Sequence, residues 1–133
     1  MKNNQNRKKI LVVDDEEDVL KYLSTLFKDE EYEVVKARNG KECVEVANSE
    51  APDLITLDLT MPYESGLRAF VQLKNDDKTK NIPIIIITGV TFEFEKFLKE
   101  TSHEFPLDLF FEKPIDRVKL ISKVNQLLSI QKD

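Results

Sequence analysis

The sequence has 133 residues but only one cysteine and one histidine. Cys43 has no second thiol to pair with, and its apolar setting in an expected helix makes it a small buried hydrophobe of a cytosolic protein. His103 lies in the polar stretch T-S-H-E, so an exposed position near a helix end is expected rather than a ligand or a catalytic base. Acidic residues outnumber basic ones, 25 to 20. A net charge of -5 leaves no basic surface to neutralise phosphates, which argues against nucleic acid or an anionic membrane as a direct partner. No apolar run approaches a membrane span, and the basic start M-K-N-N-Q-N-R-K-K is followed only by I-L-V-V, too short for a signal-peptide core. The expected location is cytoplasmic. Internal repeats, low-complexity tracts and linkers are absent as well.

What is present is ordinary for a globular protein: 41% hydrophobic and 34% charged residues, in a length that suits one domain. A flexible N-terminal segment, 1-7, and one domain, 8-131, are expected. Strands are expected over Lys8 to Asp14, Glu33 to Ala37, Asp53 to Asp58, Ile82 to Thr88 and Leu107 to Glu112. Helices are expected over Glu16 to Asp29, Lys41 to Asn48, Ser65 to Asn75 and Thr91 to Ser102, with a last one after Pro114 carrying Val118, Ile121, Val124 and Leu128 inward. Five strands alternating with five helices, the strands apolar without polar alternation, describe an α/β domain with a parallel sheet covered on both faces. Right-handed crossovers leave few topologies, and a doubly wound sheet of order 2-1-3-4-5 is the one expected.

In such sheets ligands bind beyond the carboxyl ends of the strands, where strand order reverses. The first strand ends in Asp14 and Asp15, the third in Asp58, the fourth in Thr88, and the fifth runs into Lys113. Three carboxylates about 5 Å apart would repel by roughly 3 kcal/mol per pair at an effective dielectric near 20. The total of about 10 kcal/mol rivals the stability of a whole domain, so the cluster must bind a cation or keep a proton. Oxygen ligands with no His or Cys beside them favour Mg²⁺ over zinc. A carboxylate next to Mg²⁺ can attack phosphorus, and Asp58 is placed to do so, with Lys113 and Thr88 serving the phosphoryl oxygens. Glu16, Glu17 and Asp18 are expected only to complement the dipole of the helix they begin.

The chain resembles the receiver domain of two-component response regulators over almost its full length, a flavodoxin-like fold. The resemblance rests on V-V-D-D at Val12 to Asp15, L-D-L-T-M-P at Leu57 to Pro62, Gly66, I-I-I-I-T-G at Ile84 to Gly89, and E-K-P at Glu112 to Pro114. It implies that Asp58 is the phosphoacceptor, that Asp15 binds Mg²⁺ directly and Asp14 mainly through water, and that the Thr60 backbone carbonyl completes the protein ligands. It also implies that Thr88 is the switch hydroxyl, Lys113 the phosphate-binding lysine and Phe110 the switch aromatic, and that the Lys113-Pro114 bond is cis. The implied function is phosphoacceptor signalling rather than enzymatic turnover. A sensor histidine kinase or histidine phosphotransfer protein would supply the phosphoryl group. An unidentified downstream protein would dock on the region 91-131, since only I-Q-K-D follows the last helix.

The sequence departs from the family pattern in places. Ser65 replaces the common Asp before Gly66 but can still cap a helix, Thr60 and Val90 hold positions that tune phosphoryl lifetime, and Gly89 leaves access to the phosphoryl group open. The segment between Thr88 and Lys113 is a few residues longer than usual and contains most of the phenylalanines: Phe92, Phe94, Phe97, Phe105, Phe110 and Phe111. Most are expected in the core, with an exposed partner patch as the alternative. Rival functions are a Mg²⁺-dependent phosphohydrolase, a flavodoxin-like nucleotide binder, which the acidic first loop opposes, and a non-phosphorylated scaffold.

Overall fold

The computed structural model describes residues 7-89, 95-96, 99-100, 106 and 109-130. Its five strands are β1 (Lys9–Val13), β2 (Glu33–Ala37), β3 (Leu54–Leu57), β4 (Ile84–Thr88) and β5 (Phe110–Glu112). They form one parallel sheet in the expected order, β2-β1-β3-β4-β5. Among the described residues the helices are α1 (Glu17–Asp29), α2 (Gly40–Glu50), α3 (Ser65–Lys74) and α4 (Arg117–Ile130). The further helix expected over Thr91 to Ser102 falls mostly outside the described residues, although 95-96 and 99-100 are helical. Phe92, Phe94, Phe97, His103 and Phe105 also lie outside them, and so does most of the proposed aromatic patch. No described helix is long and apolar enough to cross a membrane.

The unbroken apolar runs follow from burial on both faces. Side chains alternate across a strand, so Leu11, Val13, Ile55, Leu57, Ile84 and Ile86 face one way and pack with Cys43 and Ala47 of α2 and Ala69, Phe70 and Leu73 of α3. Ile10, Val12, Leu54, Ile85 and Ile87 face the other way, against Leu20, Leu23 and Phe27 of α1 and Leu120, Val124 and Leu128 of α4. Burial pushes the Cys43 thiol up to about 12, which fits an inert packing residue.

In α4 the inward row is Leu120, Val124 and Leu128, spaced four apart. Val118, expected to point inward, is instead 73% exposed. Two residues before Leu120 it lies nearly opposite on the helical wheel, so the seam that buries Leu120 turns Val118 outward. Strand β4 starts at Ile84 rather than Ile82, just after Pro83, which has no N–H to give the ladder.

Helix α2 begins where Asn39 Oδ1 accepts from the Glu42 N–H at 2.9 Å. It ends at Ala51 in the left-handed conformation, φ 47°, followed by Pro52. Two glycines hold α2 and α3 close. A Cβ on Gly40 would lie 2.0 Å from the Ser65 carbonyl oxygen, and one on Gly66 would lie 2.3 Å from the Asp58 carbonyl oxygen. Both φ values are negative, so space rather than backbone freedom demands glycine.

Gly66→Ala should therefore destabilise the fold by about 1–3 kcal/mol, the usual penalty for overpacking. The expected result is a lower urea midpoint with an unchanged slope. A midpoint equal to that of the parent would refute the close approach.

Candidate functional site

The ladder itself brings Asp14 and Asp58 together. Val13 and Leu57 are the last paired residues of β1 and β3, and each aspartate comes next in its chain. The Asp14 N–H donates to the Ala37 carbonyl at 3.2 Å, and the Asp58 N–H donates to the Val13 carbonyl at 3.1 Å. Both side chains are consequently held at the carboxyl edge of the sheet with only 1% exposure. This edge, between β1 and β3, is where strand order reverses.

Each aspartate makes the same local turn. Asp14 Oδ1 accepts from the Glu16 N–H at 2.9 Å, and Asp58 Oδ1 accepts from the Thr60 N–H at 2.9 Å. Such side-chain turns to the residue two ahead are characteristic of Asp. Thr60 adds a second donor, its hydroxyl lying 2.7 Å from the same Asp58 oxygen. With both Oδ1 atoms engaged, the Oδ2 atoms face a common centre.

Lys113 fills that centre. Its backbone N–H donates to the Thr88 carbonyl at 3.0 Å, continuing the pairing of β4 with β5. Its Nζ lies 3.1 Å from Asp14 Oδ2, 3.5 Å from Asp58 Oδ2 and 3.5 Å from Glu16 Oε1. The peptide bond from Lys113 to Pro114 is cis, as the family resemblance implies.

Burial pushes the Asp14 carboxyl above its ordinary range, and the negative charge of Asp58 adds to the shift. The Glu16 N–H and the Lys113 ammonium oppose it without cancelling it. For Lys113, burial works toward a lower pKa, but Asp58 and Asp14 outweigh it and the ammonium is held more firmly than usual.

Asp14, Asp15 and Glu16 each offer one carboxylate oxygen, and the three oxygens lie within 4.8 Å of one another. Asp14 is buried while Asp15 and Glu16 are exposed, so this group of oxygens opens to solvent. An all-oxygen acidic donor set with a buried, poorly compensated member fits Mg²⁺.

The structure thus joins Asp14, Asp58 and Lys113 in direct contact and sets Asp15 beside Asp14. Thr88 is fully buried at the end of β4, and Phe110 is partly buried on β5. Ile86 pairs with Phe110, so Thr88 and Phe110 share the sheet face of Ile86. Two contacts escaped the sequence reading: the Glu16 carboxylate at Lys113 and the Thr60 hydroxyl at Asp58. The Asp-x-Glu and Asp-x-Thr spacings were the available signals, because each places an N–H where an aspartate turn needs one.

A family model described as the response regulator receiver domain matches residues 10–125. The polar-differentiation response regulator DivK of Brucella anthropi is 30% identical over 91% of this chain and 96% of its own length. Protein PilH of Pseudomonas aeruginosa is 31% identical over 91% of this chain and 98% of its own. Among solved structures, the receiver domain of the Francisella response regulator 1452 superposes with a TM-score of 0.78 at 26% identity, covering 94% of this chain and 99% of that one.

The raised Asp14 pKa carries a stability consequence whose sign is fixed. Between the ordinary carboxylate value and the higher folded one, the native state binds more protons than the unfolded state, so stability falls as pH rises through that window. Above the window the full penalty of an ionised, buried Asp14 remains. Asp14→Asn, with divalent cations removed, should raise the urea midpoint at neutral pH and lose that advantage as pH falls below about 4. A variant less stable than its parent at neutral pH would show that the Lys113 contact outweighs burial.

Proposed function

The chain belongs to the response regulator receiver domain family, and we propose that it accepts a phosphoryl group on Asp58 from a partner's histidine, with Mg²⁺, and thereby changes its affinity for a downstream protein. Receiver domains are signalling proteins that act with sensor kinases or phosphotransfer proteins. The observation that carries the proposal is the Lys113 ammonium bridging the Oδ2 atoms of buried Asp14 and Asp58, at 3.1 Å and 3.5 Å.

Asp58 is the nucleophile. The two Thr60 donors on Oδ1 fix the plane of its carboxylate, which spares the reaction the entropy of orienting it. A carboxylate oxygen attacks the phosphorus of a phosphohistidine. The new P–O bond forms as the P–N bond breaks, and its electron pair returns to the ring nitrogen. The donor leaves as neutral imidazole, keeping the proton on its other nitrogen, and the product is an aspartyl phosphate. Lys113, already beside Oδ2, supplies positive charge to a phosphoryl oxygen during the transfer.

Asp14, Asp15, Asp58 and the Thr60 backbone carbonyl are the residues that would hold Mg²⁺. When bound, the ion offsets repulsion between the attacking carboxylate and the phosphoryl oxygens. Thr88 and Phe110 are the proposed switch residues. They lie on one face of β4 and β5, and the backbone of Thr88 is bonded to the residue whose ammonium reads the charge on Asp58. The downstream partner is assigned to the region 91-131, and the protein is assigned to the cytoplasm.

Intact-mass measurement after acetyl phosphate and Mg²⁺ tests this reading. The parent should gain one phosphoryl group, and neither Asp58→Asn nor the parent in EDTA should gain any. A gain in Asp58→Asn would move the acceptor elsewhere. No gain in the parent would leave a scaffold with the receiver fold. Steady turnover of a small phosphate ester, far above self-dephosphorylation, would mark a phosphohydrolase.

A further inference from the structure

Glu16 stands apart from the other acidic residues of the site. Its side chain is 64% exposed, yet its Oε1 lies 3.5 Å from Lys113 Nζ, whose side chain is 23% exposed. Its backbone is pinned on both sides. The Glu16 N–H donates to Asp14 Oδ1 at 2.9 Å, and its carbonyl accepts the first bond of α1 from the Leu20 N–H at 3.0 Å. The carboxylate therefore reaches Lys113 from a fixed base.

Among the described residues three carboxylates hold the ammonium, and two of them change partners in the proposed reaction. Asp14, the nearest at 3.1 Å, is also among the oxygens that fit a divalent cation, and a cation drawing on that carboxylate competes with Lys113 for it. Asp58, at 3.5 Å, exchanges its carboxylate charge for that of the phosphoryl oxygens when its oxygen becomes part of an acyl phosphate, so its contact with the ammonium is remade during transfer. Glu16 is not the nucleophile and keeps its charge throughout; its oxygen also lies within 4.8 Å of those of Asp14 and Asp15, so ammonium and cation are alternative partners for it. A long flexible lysine loses rotamer freedom when it is ordered, so a persistent counter-charge decides whether it waits over Asp58 or swings into solvent.

We propose that Glu16 is a positioning residue for phosphoryl transfer: its carboxylate keeps the Lys113 ammonium over Asp58 while Asp14 serves a divalent cation. The inference rests on the receiver reading given above for the transfer itself, whereas the ion pair can be tested without it. It assigns Glu16 a role through Lys113, distinct from that of a metal ligand.

The test compares the full chain with Glu16→Gln, which keeps size and removes charge. Three measurements are read. Nitrogen-detected NMR of the Lys113 ammonium, assigned by its loss in Lys113→Arg, should show a slowly exchanging signal that survives Mg²⁺ in the parent and disappears on adding Mg²⁺ to Glu16→Gln. The rate of Asp58 phosphorylation by acetyl phosphate at saturating Mg²⁺ should fall about two- to fivefold in the variant, the size expected when a partly exposed charge pair is lost. Mg²⁺ affinity by titration calorimetry should stay within about twofold, since a lost ligand would weaken it further. An unchanged or faster rate, or an ammonium signal that persists with Mg²⁺ in the variant, would overturn the proposal. A rate loss fully restored by raising Mg²⁺ would also overturn it and make Glu16 a ligand instead. Failure of the parent to be phosphorylated would defeat the transfer reading alone, and the NMR comparison would still decide the ion pair.

Discussion

Two carboxylates that burial would otherwise forbid share one ammonium, and the architecture of the sheet edge follows from that sharing. Asp14 and Asp58 are almost wholly removed from water, and among the described residues Lys113 is the cation that reaches between them. Leaving a buried charge without its partner is strongly destabilising, by about 3–5 kcal/mol in proteins generally. The groups must therefore be delivered to one point from three strands. Parallel pairing of β1 with β3 supplies the two aspartates, and pairing of β4 with β5 supplies the lysine. The cluster is held together but not satisfied, since the Asp14 carboxyl is still raised with the ammonium in place. That residual frustration is what a cation, as proposed above, would relieve.

Most of the fold was legible in the sequence because burial on both faces erases alternation. I-L-V-V, D-L-I-T-L and I-I-I-I-T are recognisable as interior strands for that reason, and their ends locate the site once the strand order is set. Helix phase was harder to read from apolar residues alone. In α4 both Val118 and Leu120 are candidates for the seam, and the choice falls to the row that continues through Val124 and Leu128. Nothing in residue type separates valine at one position from leucine two places later. The packed neighbours do.

The side-chain contacts of the site were legible only in part. Strand ends predict that Asp14, Asp58 and Lys113 converge, because the backbone carries them there. Glu16 and Thr60 join through turns in which an aspartate accepts from an N–H two residues ahead, and such a turn obeys local dihedral geometry rather than any hydrophobic period. An acidic residue at a helix start is usually explained by the helix dipole. That account suits Glu17 and Asp18 in the first turn of α1, and Glu17 also pairs with Arg38. Glu16, one residue earlier at the N-cap position, makes no side-chain cap bond, and its carboxylate lies against Lys113 instead.

The same lysine explains how a change of charge at Asp58 can be felt beyond the site. A transition between two conformations requires an interaction that differs between them. The contact of Lys113 with Asp58 is such an interaction, because the carboxylate it touches is the group that would become esterified to phosphorus. The backbone of Lys113 is tied into the sheet: its N–H donates to the Thr88 carbonyl and its next bond leads into Pro114, whose missing N–H ends the ladder. A displacement of the ammonium that carried its backbone along would load the junction of β4 and β5. Phe110, on the face of β5 shared with Ile86 and Thr88, is packed on the α2 and α3 side of the sheet, while Phe111 beside it packs on the α1 and α4 side. A shift of β5 would have to move both aromatic rings against opposite layers, so in the proposed switch this short strand is where electrostatic change at the sheet edge would become a change of packing.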